Sequence, residues 1–356
     1  MRIAWLQKQS LFLLLIALVA GGAALPGYAQ QKLLPLRLDL VSISLNKLVN
    51  WVALEEGLYR KNGLDVQQFM PLDTVAEVKK FTGYEVPPPY VRGGGAGMIP
   101  DKRNPITIGG GSPNIVAMVT NARAVKTVII LTTENTTRWL IIARKDITKP
   151  EQLKGKRLGY TTYGTTSHFQ ATLLAKRMGW DPIQDISLLS TSGAADLSVL
   201  RDGVADAFVS GELATLEALA AGYKPLVDMG EWKVPMASNG VNVDRAWLQG
   251  NRETARRLVK SIVEAIALMK KDKQIAFRAM AKYYGITDPK MQAYFYEEMP
   301  NVPRKPYPTV AGVQKTMEVF ESVAGNEMRK HKPEEFYDDS FVRELDQSGF
   351  IDSLYK

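Results

Sequence analysis

Cysteine is absent from this chain, and histidine occurs only twice, as His168 and His331. The first absence excludes disulfides, a thiolate nucleophile, cysteine-bound metal and a lipidated N-terminal cysteine. The second leaves no Asp/Glu/His cluster at metal-ligand spacing, so no metal site and no cofactor are expected. No general acid–base pair stands out and no catalytic residue is assigned, although a carboxylate pair drawn from distant segments stays open. An aromatic stripe interleaved with basic residues is missing too. The formal charge of +8 is scattered through stretches such as 252–260 and 270–273, which reads as solvated surface and speaks against nucleic acid as a partner.

Long apolar runs are equally scarce, and the only one sits at the start. Residues 1–10 carry Arg2 and Lys8 without an acid, residues 11–20 are unbroken apolar, and Gly27 and Ala29 place small residues where a signal peptidase reads. The run 11–25 falls short of the roughly twenty residues a spanning helix needs. Residues 1–29 are therefore expected to be an export signal cleaved after Ala29, with a retained anchor as the alternative. With 46% apolar residues and no disulfides, a chain of this length is expected to rest on its own core and to divide into two lobes.

What is present is an alternation of short apolar strands and amphipathic helices. Strands are expected at 36–41, 63–69, 105–108, 125–132, 139–144, 156–160, 188–190 and 205–209, and from 252 onward the pattern turns helical. Residues 82–105 interrupt it with Pro87, Pro88, Pro89, Pro100 and Pro105 among Gly93, Gly94, Gly95 and Gly97. They read as a long surface loop. No Gly-Lys-Ser/Thr follows these glycines, so they are not a P-loop.

Strand–helix alternation implies open, mainly parallel sheets that bind ligands beyond the carboxyl ends of their strands. Strand-to-helix corners fall at 42–46, 111–114, 164–168 and 210–212, two in each half. Such a corner aims unpaired backbone N–H groups and the positive end of a helix dipole at one point, which suits an anionic or polar ligand. Simple capping is the competing reading for every one of them. In the clearest, Gly164-Thr165-Thr166-Ser167-His168 leads a helix whose Ser167, Ala171, Leu174, Ala175 and Met178 share a face and which stops at Gly179.

The run 147–159, the corner 164–168 and the stretch 200–207 resemble the periplasmic substrate-binding proteins of ABC transporters. Within that class they resemble the nitrate, sulfonate and taurine group, which includes binders of thiamine precursors. Residues 51–59 with 63–66 are similar to that group's opening helix and second strand, and 238–248 to its return segment. The resemblance implies an α/β fold, a two-lobed periplasmic-binding-protein-like clamshell. Each lobe is an open mainly parallel sheet flanked by helices, and two crossover strands join the lobes, near 131–139 and 234–241. Lobe one would be 31–133 plus 238–330, lobe two 140–232, and 331–356 a C-terminal helical tail. It further implies a monomer in the periplasm that takes a small polar or anionic organic ligand to an ABC permease in the inner membrane.

The resemblance carries ligand contacts onto Thr165, Thr166, Ser167 and His168 in the second lobe and onto Ser42, Ser44, Asn46, Ser112 and Asn114 in the first. Thr132 and Thr133 would face the cleft where the chain begins to cross. His168, in a helix's first turn, is expected to be neutral, with packing as its alternative role. Glu212 would repel an anion unless the ligand also carries a positive group, and otherwise acts as a first-turn acid. Arg138 offers a bidentate grip on an anion, but a lone arginine near a hinge reads as a surface residue. An enzyme on the same fold, or a lobe that senses ligand for a membrane receptor, are the competing functions.

Overall fold

The computed structural model describes residues 32–40, 45–93, 104–111, 115–116, 126–192, 195–297 and 299–356. The leader, Ser42, Ser44, Ser112, Asn114 and most of the helix expected after Pro113 lie outside these. In chain order the strands are β1 (Leu34–Leu40), β2 (Leu64–Pro71), β3 (Val91–Arg92), β4 (Ile106–Gly110), β5 (Thr127–Thr132), β6 (Leu140–Ala143), β7 (Arg157–Tyr160), β8 (Ser187–Ser190), β9 (Ala207–Ser210), β10 (Pro225–Asp228) and β11 (Asn239–Asp244).

They form two sheets. The first runs β3-β2-β1-β4-β11-β5 and the second β10-β6-β9-β7-β8. In the first, β1 pairs parallel with β2 and β4, and β11 alone runs antiparallel, between β4 and β5. In the second, β7 pairs parallel with β8 and β9, and β6 runs antiparallel, between β9 and β10. Each sheet thus holds one reversed strand, and each reversed strand is the first laid down after the chain crosses over. This is the two-lobed α/β clamshell with mainly parallel sheets.

The two crossing segments, 133–139 and 234–238, run side by side. Thr136 and Pro235 form an antiparallel bridge, Thr137 N donates to Val234 O at 2.9 Å and Met236 N to Asn135 O at 2.9 Å. Where the second segment enters the first sheet, Gly240 comes so close to β5 that a Cβ there would lie 2.3 Å from Leu131 O.

Periodicity explains both cores. Alternation along β1 buries Leu36, Leu38 and Leu40. The helix Arg252–Lys271 turns Ala255, Leu258, Val259, Ile262, Ile266 and Met269 to the same cluster, each large apolar side chain contributing about 1.5–3 kcal/mol. In the second cluster Leu158 and Val209 meet Phe169 and Leu174 of the helix Thr166–Arg177. Val313, Met317 and Phe320 from the helix Val310–Ala324 join that second cluster, although the chain has by then returned to the first sheet.

Residues 82–93 are more ordered than a surface loop. Pro88–Tyr90 form a 3-10 turn and β3 pairs with β2. The Tyr90 ring meets Trp51 edge-on at 5.4 Å and Tyr283 at 5.2 Å. Prolines start such a turn at no cost in hydrogen bonds, and the aromatic anchor then fixes it.

Candidate functional site

A cavity of about 50 Å3 opens beside the crossing segments. Its walls include Asn46, Thr133, Glu134, Arg138 and Glu212, with Met269, Met280, Phe295 and Met299 on the apolar side. Asn46 follows β1, Thr133 and Glu134 follow β5, and Glu212 follows β9. Three strands from both sheets thus deliver residues to it at their carboxyl ends, as open α/β sheets do.

The polar wall is one connected network. Arg138 Nε donates to Glu134 and Arg138 Nη2 to Glu212. Asn46 Nδ2 also donates to Glu134, and Ser238 Oγ donates to the same carboxylate at 2.8 Å. Asn239 Nδ2 donates to Thr133 Oγ1 at 2.8 Å, and Thr133 N donates to Asn239 O at 2.9 Å. Glu134 therefore ties the first sheet's corner to both crossing segments, and Arg138 carries the tie to the second sheet. Low exposure makes these contacts strong: the side chains of Arg138, Glu134 and Glu212 are 12%, 8% and 11% exposed.

Beneath this wall lies Lys47. Burial pushes its ammonium down to about 8, against the pull of Glu212 and Glu134. Glu77, on the helix Leu72–Thr82, is pushed up to about 7 by burial and then by Asp73. On the same helix Lys80 pairs with Asp196, which stands before the second sheet's helix Ser198–Arg201.

The corner 164–168 is built differently. Thr165 caps the helix Thr166–Arg177 by accepting from His168 N at 3.4 Å. Ser167 Oγ accepts from Thr161 N at 3.0 Å and bonds Thr161 Oγ1 at 2.7 Å. Thr166 is half-buried at the first helical position. His168 is buried and stacked on Tyr160 at 4.3 Å, and its Nδ1 accepts from Gly164 N at 3.0 Å. Burial pushes its pKa down to about 4, so the imidazole is neutral with its proton on Nε2. Gly164, at φ 77, is closely packed, and a Cβ there would lie 3.0 Å from Val116.

Among the residues expected from sequence, Asn46, Thr133 and Glu212 thus meet at one cavity. Thr132 is buried in β5 opposite Gly240. Thr165, Thr166, Ser167 and His168 sit together at the other corner and are not among the cavity's lining residues. Arg138 is not a surface residue, because two carboxylates draw it inward. Sequence reasoning missed Glu134 and Ser238, whose roles depend on the pairing of the two crossing segments. Among the described residues no three His, Asp or Glu side chains converge as metal ligands would, and no helix is long and apolar enough to cross a membrane.

Two sheets, each with its reversed strand beyond a crossing, and a cavity at the crossing define the periplasmic binding protein fold. Comparison with known proteins agrees. Residues 109–276, just under half of the chain, match the family described as NMT1/THI5 like. The structure is similar to the periplasmic aliphatic sulphonate binding protein SsuA from Escherichia coli, with TM-score 0.63 and 15% identity over 86% of this chain and 92% of that one. It is similar to the periplasmic nitrate-binding protein NrtA from Synechocystis PCC 6803, with TM-score 0.65 and 14% identity over 89% of each chain. A desulfurization enzyme, DSZB, shares the fold at TM-score 0.57 and 16% identity over 88% of this chain and 99% of that one. No curated protein matches the sequence.

Proposed function

We propose that the protein is an extracytoplasmic solute-binding protein that closes two lobes around one small organic ligand and delivers it to an ABC permease. The observation that carries this reading is the cavity at the crossing, lined by Asn46, Thr133, Glu134, Arg138 and Glu212 from both sheets and the segment between them. A ligand that touches both sides biases a hinge equilibrium by its contacts with the closed form. The hinge would be residues 133–139 and 234–238. Export through the leader 1–29 and action as a monomer complete the proposal. The resemblance to sulfonate- and nitrate-binding proteins supports the class.

A thermal-shift screen of the mature protein tests it, with sulfonates, taurine, nitrate, bicarbonate, aromatic carboxylates, pyrimidines and flavins. A ligand at one hundred times its dissociation constant adds about 2.7 kcal/mol to stability. A hit that compacts the protein in small-angle X-ray scattering supports capture between lobes. A hit that is chemically consumed moves the protein to the enzymes of this fold.

A further inference from the structure

This inference rests on the binding reading just given and concerns its ligand. We propose that the cavity takes an organic cation: a protonated amine held by Glu134 and Glu212, with a short apolar body against Met269, Met280, Phe295 and Met299.

Three observations carry it. First, the polar wall presents acceptors. Glu134 and Glu212 line the cavity, and Asn46 Oδ1 beside them is buried with no hydrogen-bond partner among the described residues. The one lining guanidinium, Arg138, already directs Nε and Nη2 at the two carboxylates, so an anion would compete with both for its donors. Second, acids outnumber bases on the lining itself, where two carboxylates, Glu134 and Glu212, stand against one guanidinium, Arg138, in a chain whose formal charge is +8. A cation entering between the lobes offsets that local surplus, and an anion adds to it. Third, much of the remaining lining is apolar and rich in methionine, a side chain that fits itself to irregular bodies. A bare oxyanion against that apolar lining would lose hydration without a partner. The cavity's volume of about 50 Å3 is well below the roughly 150 Å3 of a cavity that accepts benzene, so the body is short.

The test uses three probes that share one short chain on the mature protein: ethylammonium, ethanol and ethanesulfonate, measured by isothermal titration calorimetry. We expect ethylammonium to bind at least about tenfold more tightly than the alcohol, as a charge-assisted hydrogen bond gives, and the sulfonate to bind most weakly. In Glu212→Gln the preference of ammonium over alcohol should fall towards unity. Glu134→Gln serves as the second variant if the first loses its cooperative melting. Equal binding of ammonium and alcohol would overturn the proposal, as would tighter binding of the sulfonate, and solute capture would then stand alone. Failure of all three probes overturns it too. If the broader screen also returns nothing, solute capture falls with it.

Discussion

Arg138, on the first crossing segment, pairs with Glu212 at the first turn of a helix 74 residues further along. The same guanidinium holds Glu134 on its own segment. One buried cation therefore pairs with two buried carboxylates at the crossing segments. Removing it strands both.

For that reason Arg138→Ala should be costly. Breaking a buried pair by deleting one partner leaves an uncompensated charge and typically costs about 3–5 kcal/mol. Lysine keeps the charge but cannot reach two carboxylates with a planar fork, so Arg138→Lys should fall between wild type and alanine. Urea unfolding of the three proteins checks the order. A loss under 1 kcal/mol for alanine would mean the network is solvated in solution.

The alternation of strand and helix was legible because buried Leu36, Leu38 and Leu40 repeat every second residue and Leu258, Ile262 and Ile266 every fourth. The corners were legible because each combines small or hydroxyl residues with a strand end, as at Ser210 and Gly211 before Glu212. Pairings between distant segments were not. Glu134 acquires its meaning only when Ser238, 104 residues away, lies beside it, and nothing local marks such a partner. Arg138 looked exposed for the same reason. The neutrality of His168 was expected from the helix dipole, whereas burial and the Gly164 N–H supply it. Tyr90 was hidden among prolines, and only the folded chain brings it to Trp51 and Tyr283.

Gly240 should resist substitution. A Cβ there would lie 2.3 Å from Leu131 O, a backbone atom that cannot swing aside. Gly240→Ala must push β11 away from β5 at the mouth of the second crossing. Overpacking of this kind costs about 1–3 kcal/mol. Differential scanning calorimetry should show a lower melting temperature. Gly57→Asn, at φ 67 with nothing within 4 Å of a built Cβ, should change it far less, since asparagine tolerates the left-handed region.

His168 should make the protein acid-sensitive. Its folded pKa of about 4 lies below the ordinary 6.5 of a free imidazole, so between those values the unfolded chain binds a proton that the native state refuses. Stability then falls as pH drops from about 6.5 to about 4 and levels off below, by at most about 3 kcal/mol from this group. Denaturant midpoints measured from pH 4 to 7 for wild type and His168→Gln should diverge in slope over that window. Parallel curves would show that the imidazole titrates normally.

Glu77 should show the opposite sign. Its folded pKa is pushed up to about 7 from 4.5, so the native state holds a proton that the unfolded chain has released. Its contribution is full below about pH 4.5 and is lost as pH rises through about 7. Glu77→Gln should therefore raise the melting temperature at pH 8 and leave it unchanged at pH 4.5. A gain of equal size at both pH values would indicate a helix-propensity effect instead.

The two corners should separate when ligand affinity and stability are measured together. Thr165 Oγ1 accepts from His168 N and bonds Thr161 and Ser167, so the hydroxyl is used within its own corner. Thr165→Ala removes a helix cap and should cost about 1 kcal/mol, with little change in affinity for any ligand the screen finds. Asn46 stands on the cavity wall, with Nδ2 on Glu134 and Oδ1 buried beside it. Asn46→Ala should weaken that ligand about tenfold or more, because a buried carboxylate loses a donor and the ligand loses an acceptor. Calorimetric titration of both variants decides which corner grips. If alanine at Thr165 abolishes binding and alanine at Asn46 does not, the ligand sits against the Thr166–Arg177 helix, and the cavity beside Arg138 is only part of the hinge.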